Sequence, residues 1–304
     1  MNVSTERAAY VLARGIDYFG AALFLGGLAF LALLWPAGAS TRGARRVVGT
    51  GWFLGLVGTI AAIGLEGVWV SDRPFGDAFS TDLLGQVLDI EFGRVWFARA
   101  LLWVLAGVVL ADLCRRGERA ARSAAWRVGA GAVGLGLLRT NGMIGHAMDT
   151  PNPLLTQVAG LVHLTGIALW IGGLAVLLIG VLPRRRPEEL AHVVPRYSKL
   201  AMVSVALIVA GGLVLAWQVV GSVGKVFTTD YGRLLLVKLA IFALVLVIAQ
   251  ASRSWVAHRL DFAVVLRGDA ATVRPFVYSV AAETTFVVFV IIAASLLVTA
   301  SPGR

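Results

Sequence analysis

The chain alternates, on a long period, between apolar runs and short polar links. Each apolar run is about 20 residues or more, the length that crosses a bilayer as a helix. The runs fall at 8–35, 47–70, 95–114, 124–144, 154–182, 200–220, 234–256 and 276–300. A barrel would show short segments of alternating polarity, and these runs are continuous. Lipid satisfies no backbone polar group, so each run has to close its hydrogen bonds within a helix. The pattern predicts an all-α, polytopic integral membrane bundle of about eight transmembrane helices. Residues 1–304 read as a single membrane domain.

The links set an orientation. Arg42, Arg45 and Arg46 follow the first run, and Arg115, Arg116, Arg119 and Arg122 follow the third. Arg184, Arg185, Arg186, Arg196 and Lys199 follow the fifth, and Arg259, Arg267 and Arg274 follow the seventh. The alternate links are poor in Lys and Arg, and the one over 71–92 is acidic, with Asp72, Asp77, Asp82, Asp89 and Glu91. The positive-inside rule puts the basic links in the cytoplasm and both termini on the extracytoplasmic side. The acidic link is expected to include a short interfacial helix over 83–90. It reads either as a solvated connector or as a vestibule that attracts cations.

Composition agrees with the pattern. The chain is 58% hydrophobic and 14% charged, against about 25% charged in soluble domains, and its mean hydropathy is +0.83. No stretch between the runs is long enough for a separate soluble domain. The net charge of +10 is accounted for by the topological arginines, so no nucleic-acid partner is expected. The single cysteine, Cys114, makes neither an internal disulfide nor a paired-cysteine metal site. The N-terminus has no signal-peptide pattern, so the first run is expected to be a retained span. The Gly26-Gly27, Gly172-Gly173 and Gly211-Gly212 pairs lie within apolar runs and suit close helix packing.

Ionisable residues inside a bilayer are costly and therefore candidates for function. The runs carry Arg14, Asp17, Glu66, His163, Lys238 and Glu283. Arg14 and Asp17, three apart, are expected to pair on one helix face. The segment Met143-Ile144-Gly145-His146-Ala147-Met148 places two thioethers and an imidazole within six residues at the end of the fourth run. Thioether sulfur selects Cu(I), and imidazole serves either oxidation state. The alternative is an interfacial loop with incidental methionines. His163 is either an intramembrane ligand or a hydrogen-bonded packing residue. Glu66 can add a carboxylate or take up a proton. His192 and His258 fall in or beside basic links and read as ordinary. No Walker loop, HExxH or G-x-S-x-G motif occurs, and no enzymatic activity is expected.

From Gly145 onward the chain resembles the CopD-type copper-resistance and copper-uptake membrane proteins. The resemblance rests on Gly145-His146-Ala147, on His163, and on Ala168-Leu-Trp170-Ile-Gly172-Gly173-Leu174. It continues through Arg196-Tyr-Ser198-Lys-Leu-Ala201, where the family often has Phe in place of Tyr197. Further along come Tyr231-Gly232-Arg-Leu-Leu-Leu-Val-Lys238, then Glu283, then Leu297-Val-Thr-Ala-Ser-Pro302. The part over 124–304 is CopD-like, and the part over 1–123 matches more loosely.

This resemblance implies copper handling at the cytoplasmic membrane, often with a small extracytoplasmic copper-binding partner. It implies ligand roles for His146 and His163. With Met143 and Met148 these form the expected copper site, and Glu66, Asp17, Lys238, Glu283 and Trp170 are its supporting residues. The expected function is copper transport without ATP hydrolysis, inward. Two other readings stay open: a haem-binding membrane redox protein, and an assembly factor that delivers copper to a respiratory oxidase.

Overall fold

A computed structural model describes residues 5–89, 91–143, 150–229, 232–244 and 246–247. The described residues are helical, with no strand among them. The helices are α1 (Thr5–Leu33), α2 (Arg42–Ser71), α3 (Thr81–Asp89), α4 (Glu91–Arg116), α5 (Glu118–Arg122), α6 (Ala124–Met143), α7 (Pro153–Val176), α8 (Pro187–Val220) and α9 (Val223–Thr228). Residues 232–244 are also helical.

Local chemistry sets several of the ends. Thr41 caps α2, its hydroxyl accepting the Ala44 N–H at 3.4 Å. Asn152 caps α7 through the Leu155 N–H at 3.2 Å, with Pro153 in the first turn, where a missing N–H costs nothing. Gly221 ends α8 at φ 72°, a left-handed conformation that suits glycine. The run of α7 continues as a π-helical turn (Leu177–Val181) and a 3-10 turn (Leu182–Arg184). Pro183 cannot donate to a continuing helix.

Five helical stretches are long and apolar enough to span a membrane: Thr5–Leu33, Arg42–Ser71, Gly93–Arg116, Pro153–Arg184 and Glu188–Val220. They carry exposed Phe53, Val57, Ile60, Leu101, Val104, Val108, Leu213 and Trp217 on their outer faces, as lipid-facing surfaces do. The chain is a multi-pass membrane protein. The stretch expected to form the fourth span is the helix α6, 20 residues long. It is not among those five, because Arg127, Arg139, Thr140, Asn141 and several glycines dilute its apolar content. The expected seventh span is described over its first part, and the eighth, 276–300, lies outside the described residues.

One expectation is corrected. The stretch after Arg186 is not a loop up to Leu200: α8 begins at Pro187 and runs through Pro195. His192, Arg196 and Lys199 are therefore exposed helical residues. Tyr197 on the same turns is buried, and its hydroxyl donates to the Trp170 carbonyl at 2.8 Å. That inward face keeps the polar-looking segment helical.

The core is organised around α1, which packs between α2 and α7, while α8 lies on α7 and α4 on α2 and α6. Small residues set the separations. A Cβ at Gly26 would collide with the Ala168 carbonyl, and one at Gly172 with the Ala22 carbonyl, so α1 and α7 cross backbone to backbone. Phe24, Phe30, Leu31, Val48, Trp103, Leu113 and Val176 fill the space around the crossing. At one end of the bundle, the amphipathic α3 folds Leu83 and Val87 onto Val68 and Ala78. The helix expected over 83–90 is thus found at Thr81–Asp89.

Candidate functional site

His163 lies on α7, half-buried against α8. Its Nδ1 is 2.8 Å from the Ile208 carbonyl oxygen. A carbonyl only accepts, so Nδ1 carries the proton and Nε2 keeps its lone pair. The ring fits because α8 carries glycine opposite it. A Cβ on Gly212 would sit 3.3 Å from both His163 Cε1 and Nδ1, and one on Gly211 would press on the His163 backbone at 2.8 Å. Lys238, on the helix over 232–244, is within electrostatic reach of the imidazole. Trp170, two turns along α7, is buried, with Phe242 edge-on at 6.1 Å. A half-buried imidazole with one nitrogen anchored and the other available is the form that ligates a metal ion.

The other expected ligands are only partly placed. Met143 ends α6, while His146, Met148 and, in the last run, Glu283 lie outside the described residues. Among the described residues, no group of three or more His, Cys, Asp or Glu side chains is arranged to hold a metal ion. Cys114 is exposed near the end of α4.

The densest polar network lies elsewhere, between α1, α2, α4 and α6. Asp17 and Arg99 are both fully buried and paired, with Arg99 Nη2 at 2.9 Å from Asp17 Oδ2 and Nε at 3.0 Å from the same oxygen. Thr59 donates to Asp17 Oδ1 at 2.9 Å, and the Trp103 indole N–H at 3.3 Å. Arg99 Nη1 donates to the Leu137 carbonyl at 2.5 Å and to the Thr140 hydroxyl at 2.8 Å. The expected Arg14–Asp17 pair is not formed. Arg14 donates to the Tyr18 hydroxyl and lies over the Tyr10 and Tyr18 rings. A residue three positions away on α1 gives way to a cation presented from the facing helix, because α1 packs its Asp17 face inward and Gly58 lets α2 approach the Asp17 backbone.

Arg99 was legible and missed. It sits inside the third apolar run, and Trp96, Arg99 and Trp103 share one helical face. A basic residue flanked by tryptophans in an apolar run marks a buried partner for a carboxylate. Glu66 is also placed in this half. It is 9% exposed, takes the Trp96 indole N–H on Oε2 at 2.8 Å, and is hydrogen-bonded to Tyr10. Neither Asp17 nor Glu66 shares a contact with His163 among the described interactions.

These features define a polytopic helical membrane protein with a charge-paired N-terminal half and an anchored intramembrane histidine in the half that follows. Residues 4–154 match the N-terminal domain of copper resistance protein D-like proteins, and residues 191–297 match copper resistance protein D. The chain belongs to the CopD-type copper-resistance family. It is also 29% identical over 253 residues to the copper transport protein CutJ of Bacillus subtilis (strain 168), covering 77% of this chain and 44% of that one. The chain thus spans less than half the length of this curated relative. His163 and Trp170 lie between the two family matches, and His146 lies within the first. No solved structure matches the chain.

Proposed function

We propose that the chain carries copper across the cytoplasmic membrane, inward and without ATP hydrolysis, with His163 as its intramembrane ligand. The observation that carries this reading is the 2.8 Å contact of His163 Nδ1 with the Ile208 carbonyl. It fixes the tautomer and leaves Nε2 as a donor to a passing ion. Membership of a copper-resistance family and likeness to a protein named for copper transport support copper as the cargo.

Capture falls to His146, Met143 and Met148, which lie in the chain at the end of α6 and between α6 and α7, because thioether and imidazole groups exchange copper readily. A small extracytoplasmic copper-binding protein is the proposed donor. Few ligands suit this task, since a carrier has to release what it binds. Lys238, close to His163, places a positive charge beside the ion and favours its departure. Glu283 in the last run is the proposed carboxylate further along. Trp170 shapes the α7 wall by packing, and Asp17 holds the bundle. The membrane potential, about 2.3 kcal/mol per charge per 100 mV, supplies the drive.

The test is copper uptake by proteoliposomes. His163→Ala is expected to abolish uptake even at high copper, while His192→Ala, exposed on α8, leaves it unchanged. Equal uptake by wild type and His163→Ala would sink the reading. The same preparation separates the two other readings: a Soret band identifies haem, and copper binding without uptake identifies a delivery factor.

A further inference from the structure

The N-terminal half repeats one arrangement at two depths. Tyr10 and Asp17 on α1, Thr59 and Glu66 on α2, and Trp96 and Trp103 on α4 are each seven residues apart. Seven residues are two helical turns, about 10.5 Å of rise. Each layer holds one buried carboxyl that receives an indole N–H from α4: Trp103 to Asp17 at 3.3 Å, and Trp96 to Glu66 at 2.8 Å. Each also has a hydroxyl from a facing helix, Thr59 for Asp17 and Tyr10 for Glu66.

The layers differ in what else meets the carboxyl. Asp17 is chelated by Arg99 through Nε and Nη2. A guanidinium donates and never accepts, so Arg99 meets Asp17 with donors alone. At Glu66 the described direct partners are an indole and a phenol. The phenol both donates and accepts, so Tyr10 satisfies the carboxylate by donating to it and the carboxylic acid by accepting a hydrogen bond from its O–H. The groups facing Glu66 are Tyr10 and Arg14 from α1 and Trp96 from α4. Arg14 is engaged with Tyr18 and lies over the two tyrosine rings. Above Glu66, α3 presents the apolar Leu83 and Val87 to Gly67, and its Asp82 is turned to Arg73 at 3.0 Å.

The layer lies close to the end of the bundle that carries α3, with Tyr10 near the start of α1 and Glu66 near the end of α2. The Tyr10 ring stacks on Trp69 at 5.6 Å. Trp69 is 38% exposed, with Arg7 over its ring.

We propose that Glu66 is a proton-binding site of the bundle, filled and emptied through the Tyr10 hydroxyl from the end that carries α3. The proton arrives from water on that side, adds to a Glu66 carboxylate oxygen and leaves by the same route. A deprotonated Glu66 adds one negative charge to a bundle that passes a cation, so proton loss favours the cation's stay and proton uptake its release. That last clause rests on the copper reading, and the proton site itself does not.

The experiment is infrared difference spectroscopy of the full chain in lipid nanodiscs, metal-free, through a reversible pH titration. Wild type is expected to gain a carboxylic C=O band on acidification that is lost in Glu66→Gln. Trp96→Phe keeps Glu66 and removes one donor, so the band is expected to persist at a shifted frequency. Tyr10→Phe is expected to slow its appearance after a pH jump. Superimposable wild-type and Glu66→Gln titrations would overturn the proposal. Where Glu66→Gln fails to fold, Trp96→Phe decides it: an unmoved set of C=O bands overturns the proposal. Because copper is absent, neither result bears on uptake through His163.

Discussion

Asp17 and Arg99 are each 0% exposed, in a chain whose surroundings are lipid rather than water. Two buried charges lose hydration that their mutual attraction restores only when every remaining donor and acceptor is met. Here the remaining groups are met: Thr59 and Trp103 on the carboxylate, Leu137 and Thr140 on the guanidinium. Removing one partner strands the other. Arg99→Met or Asp17→Asn is therefore expected to destabilise the bundle by about 3–5 kcal/mol. The double variant is expected to cost clearly less than the sum of the two. Unfolding curves in mixed detergent read this, and strictly additive losses would show that the pair contributes nothing specific. His146 allows a pH test of the proposed capture step. Neutral imidazole is the ligand form, so copper capture is expected to weaken as pH falls below about 6.5, the ordinary histidine value. His146→Ala should remove that dependence from equilibrium copper titrations.

At the scale of elements, the close crossing of α1 and α7 is the controlling contact. Gly26 and Gly172 face each other's backbones with no room for a methyl group. Gly26→Ala or Gly172→Ala has to push two helices apart, at a cost of roughly 1–3 kcal/mol. Gly129 and Gly131 on α6 have nothing within 4 Å of an added Cβ. Their alanine variants are expected to be neutral, or stabilising by up to about 1 kcal/mol through helix propensity. Thermal unfolding of the four variants tests the contrast, and similar losses at all four would show that packing is not what glycine serves on α1 and α7. The helices were legible because an apolar run of bilayer length has one solution in lipid. The short helix α3 was legible from Leu83, Leu84, Val87 and Ile90 within an acidic link. The start of α8 was not, since Glu188, Glu189, Pro195 and Arg196 read as a polar link, and only the burial of Leu190, Val193 and Tyr197 keeps them helical. The choice of Asp17's partner was not legible from spacing on α1, because a tertiary contact decides it. For the proposed copper site, the sequence supplied candidate residues, and of the two candidate imidazoles the structure describes the setting of His163 alone.

Across the whole molecule, the basic links after α1, α4 and the 3-10 turn at Leu182–Arg184 converge on one end. The 3-10 turn at Pro36–Ser40 packs on α5, and the Glu118 N–H reaches the Ser40 hydroxyl at 3.4 Å. Arg45 donates to the Ala39 carbonyl at 2.8 Å, and Arg184 lies over the Trp35 ring at 5.6 Å. The acidic link with α3 and the Asn152 cap of α7 belong to the opposite helix ends. Among the described residues, the arginines of these three links are thus gathered at one end of the bundle, the arrangement the positive-inside rule assigns to the cytoplasm. Cys114 is a built-in reporter of that face, being the sole cysteine and exposed beside Arg115 and Arg116. A membrane-impermeant maleimide is expected to spare Cys114 in intact cells and to label it after permeabilisation. In a Cys114→Ser background, Ser80→Cys, beside α3, is expected to label in intact cells. Labelling of Cys114 from outside together with protection of Ser80→Cys would invert the molecule. It would also place the Glu66 proton site on the cytoplasmic side and reverse the proposed direction of copper flow.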